Sequence, residues 1–238
     1  MNISAPARSS LALRRIALLE GLGDECLARV AAECDWRQVE ARTPLFTRAS
    51  PGGEVYFLCS GRARITTYST QGREVTFRDC EAGEHFGDLS AIDGQPRSAD
   101  VVALEPSVLA VLSAPAFITM LGREPAVAMR MMRNLTGLVR RLTERVIDLS
   151  TLGVQTRLHA ELLRLANAAG VQADNSARID PAPAHAALAS KISTNREQVT
   201  REISALTKRG LLRKEGLHVL VVADVAGLAS LVAQVRGD

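Results

Sequence analysis

Apolar and polar positions follow two different rhythms along this chain, and the change of rhythm divides it. Leu11–Ala32 keeps a helical spacing broken at Gly21–Gly23, which predicts two short helices. From Trp36 to Leu112 the runs shorten. Val55–Ser60, Arg62–Tyr68 and Glu74–Asp79 read as strands, and glycines punctuate them at Gly52–Gly53, Gly61, Gly72, Gly83 and Gly94. That spacing of strand plus turn predicts an antiparallel barrel or roll, with a hairpin turn at Gln71-Gly72. Pro115 opens a helical region. Beyond Pro125, the residues Met131, Leu135, Leu138, Leu142, Leu149 and Leu152 form a heptad stripe, interrupted where Arg145 stands. The stripe predicts a parallel helix pair in a homodimer. A helix packed on its own barrel would show the same spacing.

The rest of the chain returns to helical rhythm. Gln155–Ala169 is amphipathic. Gly170–Pro183 is polar and ends near two prolines, so it reads as a loop. His185–Ile192 and Thr194–Arg209 read as two helices with a tight turn, the second closed by Gly210 as a C-terminal cap. Leu211–Val222 reads as a β-hairpin turning at Glu215-Gly216, and Val225–Val235 as a final helix.

Composition narrows the function classes. The chain has 238 residues, 47% of them hydrophobic, enough for one or two domains with real cores. Aromatic residues make up only 3%, which argues against base stacking as a mode of nucleic-acid binding. The net charge of +3 falls entirely in residues 151–238, which hold 11 basic and 8 acidic side chains. A basic bias in one domain points to a polyanion. Cys26, Cys34, Cys59 and Cys80 lack C-x-x-C spacing and His partners, so no metal site is expected. No apolar run approaches the ~18 residues of a membrane span, and the N-terminal segment lacks the order of a secretion signal. A cytoplasmic protein is the expectation, with no membrane partner.

Two segments carry chemistry. Phe86–Ala99, FGDLSAIDGQPRSA, reads as a pocket for a phosphate diester and a ribose. Gly87 lets the backbone approach a ligand, because it has no Cβ. Asp88 supplies an acceptor for a ribose hydroxyl. Arg97 supplies a guanidinium fork for a phosphate, and Ser98 with nearby amides completes an anion nest. About a hundred residues on, Asn195–Arg201, NREQVTR, opens a helix with Val199, Ile203 and Leu206 on one arc. Arg196, Thr200, Arg201, Ser204 and Lys208 lie on the other. This is the helix-turn-helix arrangement. Arg196 and Arg201 are assigned to guanines and Glu197 to a cytosine, with Thr194, Thr200 and Lys208 on phosphates. Glu197 also fits a capping box begun by Thr194, and a basic face can simply be solvated.

Together these motifs, with the barrel segment LFTRASPGGEVYFLCSGRARITTYSTQGREVTF before them, resemble the CRP/FNR family of bacterial transcription regulators. The resemblance covers nearly the whole chain. It implies an α+β protein: an N-terminal cyclic-nucleotide-binding, jelly-roll-like β-roll with N-terminal helices over 1–124, a long dimerisation helix over 125–152, and a C-terminal winged helix-turn-helix over 153–238. By the same resemblance the ligand residues are Phe86, Gly87, Asp88, Leu89, Ser90, Arg97, Ser98, Ala99, Leu142 and Thr143. Asp88 stands where the family's nucleotide binders have Glu. Leu142 and Thr143 stand where its cyclic-AMP binders have a Thr-Ser pair. The DNA-binding residues are Thr194, Asn195, Arg196, Glu197, Thr200, Arg201 and Lys208.

The implied effector is a cyclic nucleotide, cAMP or cGMP, with no prosthetic group. The implied partners are double-stranded DNA carrying a palindromic GTGA-like site, a second copy of the chain, and RNA polymerase, with Val171–Arg178 as the candidate polymerase loop. Two other readings compete. One is a constitutive member whose roll binds no nucleotide and serves as a dimer scaffold. The other is an enzyme, against which stand the lack of a nucleophile–base pair, metal-ligand spacing or P-loop.

Overall fold

The computed structural model describes residues 10–68, 74–216 and 218–236. The chain divides into two compact units, Met1–Leu138 and Val139–Asp238. The predicted hairpin turn at Gln71-Gly72 lies outside the described residues.

The first unit begins with α1 (Ser10–Leu13), a 3-10 turn (Ala17–Leu19) and α2 (Asp24–Glu33). It continues through β1 (Asp35–Val39), β2 (Pro44–Phe46), β3 (Val55–Ser60), β4 (Arg62–Tyr68), β5 (Glu74–Glu81) and β6 (His85–Phe86). It then runs through α3 (Asp88–Asp93), β7 (Asp100–Ala103), β8 (Ser107–Leu112) and α4 (Ala114–Arg123). The strands form two antiparallel sheets, ordered β1-β8-β3-β6 and β2-β7-β4-β5.

Alternation explains how the sheets close on each other. Side chains along a strand point to opposite faces. In β3, Tyr56 and Leu58 pack inside the roll with Phe86, Val101, Leu109 and Val111. Val55 and Phe57 face the other way, onto a layer of helices that holds Leu13, Leu27, Phe117, Val127 and Met131. Both faces of β3 are therefore buried, which is why VYFL reads as a continuous apolar run. Ser113 caps α4, its side chain accepting from Ala116 N.

α5 (Pro125–Thr151) runs through the boundary between the units. The structure divides its apolar stripe. Val127 and Met131 are buried in the first unit's own core, with Leu135 packed against it. Met131 thus serves the domain rather than a helix pair. Leu142 and Leu149 stay 43% and 42% exposed, beside exposed Val139, Val146 and Ile147. Arg145, which interrupts the stripe, donates from Nη2 to Lys191 O at 3.1 Å.

The second unit holds the end of α5, α6 (Val154–Ala169), β9 (Ala177–Ile179), α7 (His185–Lys191) and α8 (Arg196–Lys208). The hairpin β10 (Leu212–Glu215) and β11 (Val219–Val222) follows, and then α9 (Val225–Arg236). The stretch predicted as an uninterrupted loop, Gly170–Pro183, contains β9. Its Ala177–Ile179 pairs antiparallel with β11, completing a sheet ordered β10-β11-β9. Ala177 and Ile179 are buried on either side of exposed Arg178, a period too short to stand out among polar neighbours. The core of this unit joins Leu158, Leu162, Leu188, Val199, Ile203, Leu206, Leu220 and Leu228. Among the described residues no helix is long and apolar enough to cross a membrane.

Candidate functional site

In the first unit, β6 delivers the chain to Gly87, which has φ +85° and caps the start of α3. A Cβ at Gly87 would lie 2.7 Å from Glu54 O and 2.9 Å from Arg97 Nη1, so only hydrogen fits. Arg97 is 3% exposed. Its Nη1 donates to Glu54 O at 2.9 Å and to Gly87 O at 3.0 Å. Its Nη2 donates to Glu54 Oε2 at 2.7 Å. Among the described residues, buried Nε has no hydrogen-bond partner. The guanidinium carbon sits 4.2 Å over the Phe46 ring and 5.7 Å from the Tyr56 ring, within cation–π range. Tyr56 stacks on Phe86 at 5.2 Å. Burial, and then the Glu54 charge, push the Tyr56 hydroxyl above its ordinary pKa.

The structure thus brings Phe86, Gly87 and Arg97 together and adds Glu54, Phe46 and Tyr56, which the motif did not contain. Asp88 is half-buried at the first position of α3. Ser90 and Ala99 are buried, while Leu89 and Ser98 are exposed. Leu142 and Thr143 belong to the second unit, where the Thr143 hydroxyl donates to Val139 O of its own helix. Glu54 is invisible to motif reading because it lies 43 residues from Arg97. The signal available was the glycine pair directly before it, in a chain segment with no obvious hairpin.

In the second unit, α8 buries Val199, Ile203 and Leu206 and exposes Arg196, Glu197, Thr200, Arg201 and Lys208. Two details correct the sequence reading. The N-cap is Asn195, whose side chain accepts from Gln198 N at 2.9 Å, so Glu197 does not close a capping box with Thr194. Thr194 is itself buried, and its hydroxyl bonds the Gln198 side chain. In this position it ties the turn to the first turn of α8. Thr200 Oγ1 is engaged on both sides, with His185 Nδ1 at 2.8 Å and Arg196 O at 2.9 Å. His185 titrates below its ordinary range because of burial, with Lys214 and Arg196 adding to the effect.

A polar scaffold behind α8 was not read from the sequence. Arg157 donates to Ile192 O at 3.0 Å and Leu152 O at 2.7 Å. With the Arg145 bond to Lys191 O, two guanidiniums hold the C-terminal end of α7, where a helix favours cations. Glu202, 9% exposed, anchors α8 through His159 Nε2 at 2.7 Å and Gln155 Nε2 at 2.9 Å. Arg157, His159 and Gln155 all lie on α6, mixed into an amphipathic pattern that gives them no separate signal.

Comparison with known proteins follows this division. A family model for the cyclic nucleotide-binding domain matches residues 36–124, and one for the Crp-like helix-turn-helix domain matches residues 156–231. The chain is 30% identical over 200 residues to the cyclic AMP receptor protein of Thermus thermophilus, covering 82% of this chain and 88% of that protein. It is 23% identical to a CRP-like cAMP-activated global transcriptional regulator of Mycobacterium tuberculosis, over 88% of this chain and 93% of that one. Among solved structures, a CooA mutant from Carboxydothermus hydrogenoformans shares the fold with a TM-score of 0.76 at 19% identity, over 90% of this chain and 92% of its own.

Proposed function

The chain belongs to the CRP/FNR family of transcription regulators, and from that premise we propose that it is a cyclic-nucleotide-gated, sequence-specific DNA-binding homodimer. One observation carries the reading. The same chain holds a buried, phosphate-competent arginine in its first unit and an exposed basic helix face in its second. A cyclic nucleotide, cAMP or cGMP, would place its phosphate on Arg97 beside the Gly87 backbone and its ribose on Asp88. Phe86, Leu89, Ser90, Ser98 and Ala99 belong to the same cassette, and Leu142 and Thr143 would face the base.

The proposed domain division follows the same logic: roll and helices over 1–124, dimer helix over 125–152, DNA-binding domain over 153–238. The exposed Val139, Leu142, Val146 and Leu149 support a helix pair, since an apolar row on a surface helix gains by burial against a second copy. Arg196, Glu197 and Arg201 would read base edges, and Asn195, Thr200 and Lys208 would lie near the backbone. In a dimer the two recognition helices would enter successive major grooves about 34 Å apart. The nucleotide acts by binding the DNA-competent arrangement more tightly, because equal affinity for both states would shift nothing. Regulation of transcription without catalysis, a cytoplasmic location and a polymerase contact through Val171–Arg178 complete the proposal. The alternative, a constitutive member with a silent roll, is favoured by one observation: Arg97 already carries a counter-ion in Glu54.

Calorimetric titration with cAMP, cGMP and cyclic di-GMP tests the reading, with Arg97→Ala as control. Micromolar or tighter binding of cAMP or cGMP, lost in the variant and accompanied by tighter binding of GTGA-containing duplex, is the expected result. DNA binding at full strength with no response to any nucleotide would establish the constitutive alternative.

A further inference from the structure

The two partners of the Arg97–Glu54 ion pair differ in freedom. The Arg97 side chain is 2% exposed and that of Glu54 is 45% exposed. Arg97 is fixed by the carbonyls of Glu54 and Gly87 on its Nη1 and by the Phe46 ring on its face. The Glu54 side chain is partly exposed, so its carboxylate can turn toward solvent without disturbing those contacts.

The carboxylate also satisfies Arg97 incompletely. Nη2 is bonded to Glu54 Oε2, while Nε stays buried and unpartnered among the described residues. A buried donor left without an acceptor is unfavourable, because the water it gave up is not replaced. Nε and Nη2 form one edge of the planar guanidinium, which suits an anion offering two oxygens side by side. A phosphodiester carries two such non-bridging oxygens and a single negative charge.

The surrounding loop is tied to the arginine and carries no side chain on this edge. Ala49 N donates to Arg97 O at 2.8 Å and Arg97 N to Ser50 O at 3.1 Å, tying the loop to the arginine's own backbone. Gly52 has φ +135°, and a Cβ there would lie 3.0 Å from Glu54 Oε2 and 3.4 Å from Arg97 Nη2. Glycine at this position leaves room for a group on that edge of the guanidinium.

We propose that Glu54 is the resident counter-ion of the ligand site, and that a phosphodiester monoanion binds by replacing its carboxylate on Arg97. The exchange conserves charge. One negative group leaves for water as another arrives, so the buried guanidinium is never left without a counter-ion. Glu54 then sets both affinity and selectivity. A neutral ligand cannot displace it, and every anion binds more weakly by the free energy of displacing it. This inference rests on the reading of the first unit as a cyclic-nucleotide pocket.

Titration of wild type and Glu54→Gln with cAMP and cGMP by calorimetry tests the exchange. Glutamine keeps the size of the side chain and removes its charge. The variant should bind the same nucleotide at least tenfold more tightly. Glu54→Ala, at a position open to water, gives the same test should the glutamine variant fail to fold by circular dichroism. Equal or weaker binding in the folded variants overturns the counter-ion role and leaves the nucleotide reading standing. Binding to neither wild type nor folded variants overturns both. Binding to the variants alone is the strongest support, because the carboxylate would then be closing the site completely.

Discussion

Arginine is put to opposite uses in the two units. Arg97 is enclosed: 3% exposed, with three hydrogen bonds and an aromatic face against it. Arg196 and Arg201 stand on the open face of α8, and their guanidiniums make no hydrogen bond or ion pair among the described residues. The enclosed guanidinium is preorganised, so little side-chain freedom is lost when an anion meets it. The open ones are adaptable, and they surrender rotamer freedom only when they meet a partner. A small effector of fixed shape suits the first arrangement. A surface that must slide over many sequences before settling on one suits the second.

The largest effect should come from filling the space that encloses Arg97. Gly87→Ala meets two separate penalties. A non-glycine residue in the left-handed region is unfavourable by about 1–2 kcal/mol. Overpacking against Glu54 O and Arg97 Nη1 adds about 1–3 kcal/mol. Denaturant unfolding of the full chain should show the first unit's transition lowered by about 2–5 kcal/mol, with the second unit's transition unmoved. A shift under about 1 kcal/mol would mean that the enclosure is looser than its geometry implies.

Arg97→Lys comes next and separates charge from shape. Lysine keeps the positive charge but lacks the planar fork that reaches two carbonyls and an anion at once. Nucleotide binding should weaken at least a hundredfold, about 2.7 kcal/mol. Retained affinity, read by the same calorimetry, would show that the pocket needs only a point charge.

These two residues also mark how far the sequence could be read. The strands β3 and β4 fall where short strand-like runs and glycine punctuation put them, because buried strands are brief and end in turns. That Gly87 and Arg97 meet was legible because they are near neighbours in the chain. Glu54 was not, since nothing local ties it to Arg97. β9 was missed because three residues hold less than two periods of alternation. Met131 was read as seam because a helix stripe shows burial and not what it is buried against. The capping box weighed as the other reading of Glu197 does not form, because Thr194 and Asn195 are both good caps and the backbone selects Asn195.

On the open side of the comparison, Arg201→Ala should weaken binding to a GTGA-containing duplex by about 1–3 kcal/mol. Selection from a random DNA pool should show relaxed preference at one base pair of each half-site. Its folding stability should be unchanged within about 0.5 kcal/mol, since the side chain leaves no buried partner behind. Equal weakening on specific and random DNA would reduce Arg201 to a phosphate contact.

The smallest effect should be at Lys208, exposed in the last turn of α8 and assigned to the phosphate backbone. A phosphate contact carries no sequence information, so Lys208→Ala should weaken cognate and random DNA by the same factor. Its signature is in salt dependence. Each neutralised phosphate steepens the fall of log affinity with log salt by about 0.9, so the variant's slope should be shallower by that amount per recognition helix. Filter-binding or anisotropy series at several salt concentrations would read the slope directly. An unchanged slope would place Lys208 away from the DNA, and with it the C-terminal end of α8. A changed slope with altered sequence preference would move Lys208 from positioning to base readout, and the division of roles along the helix would have to be redrawn.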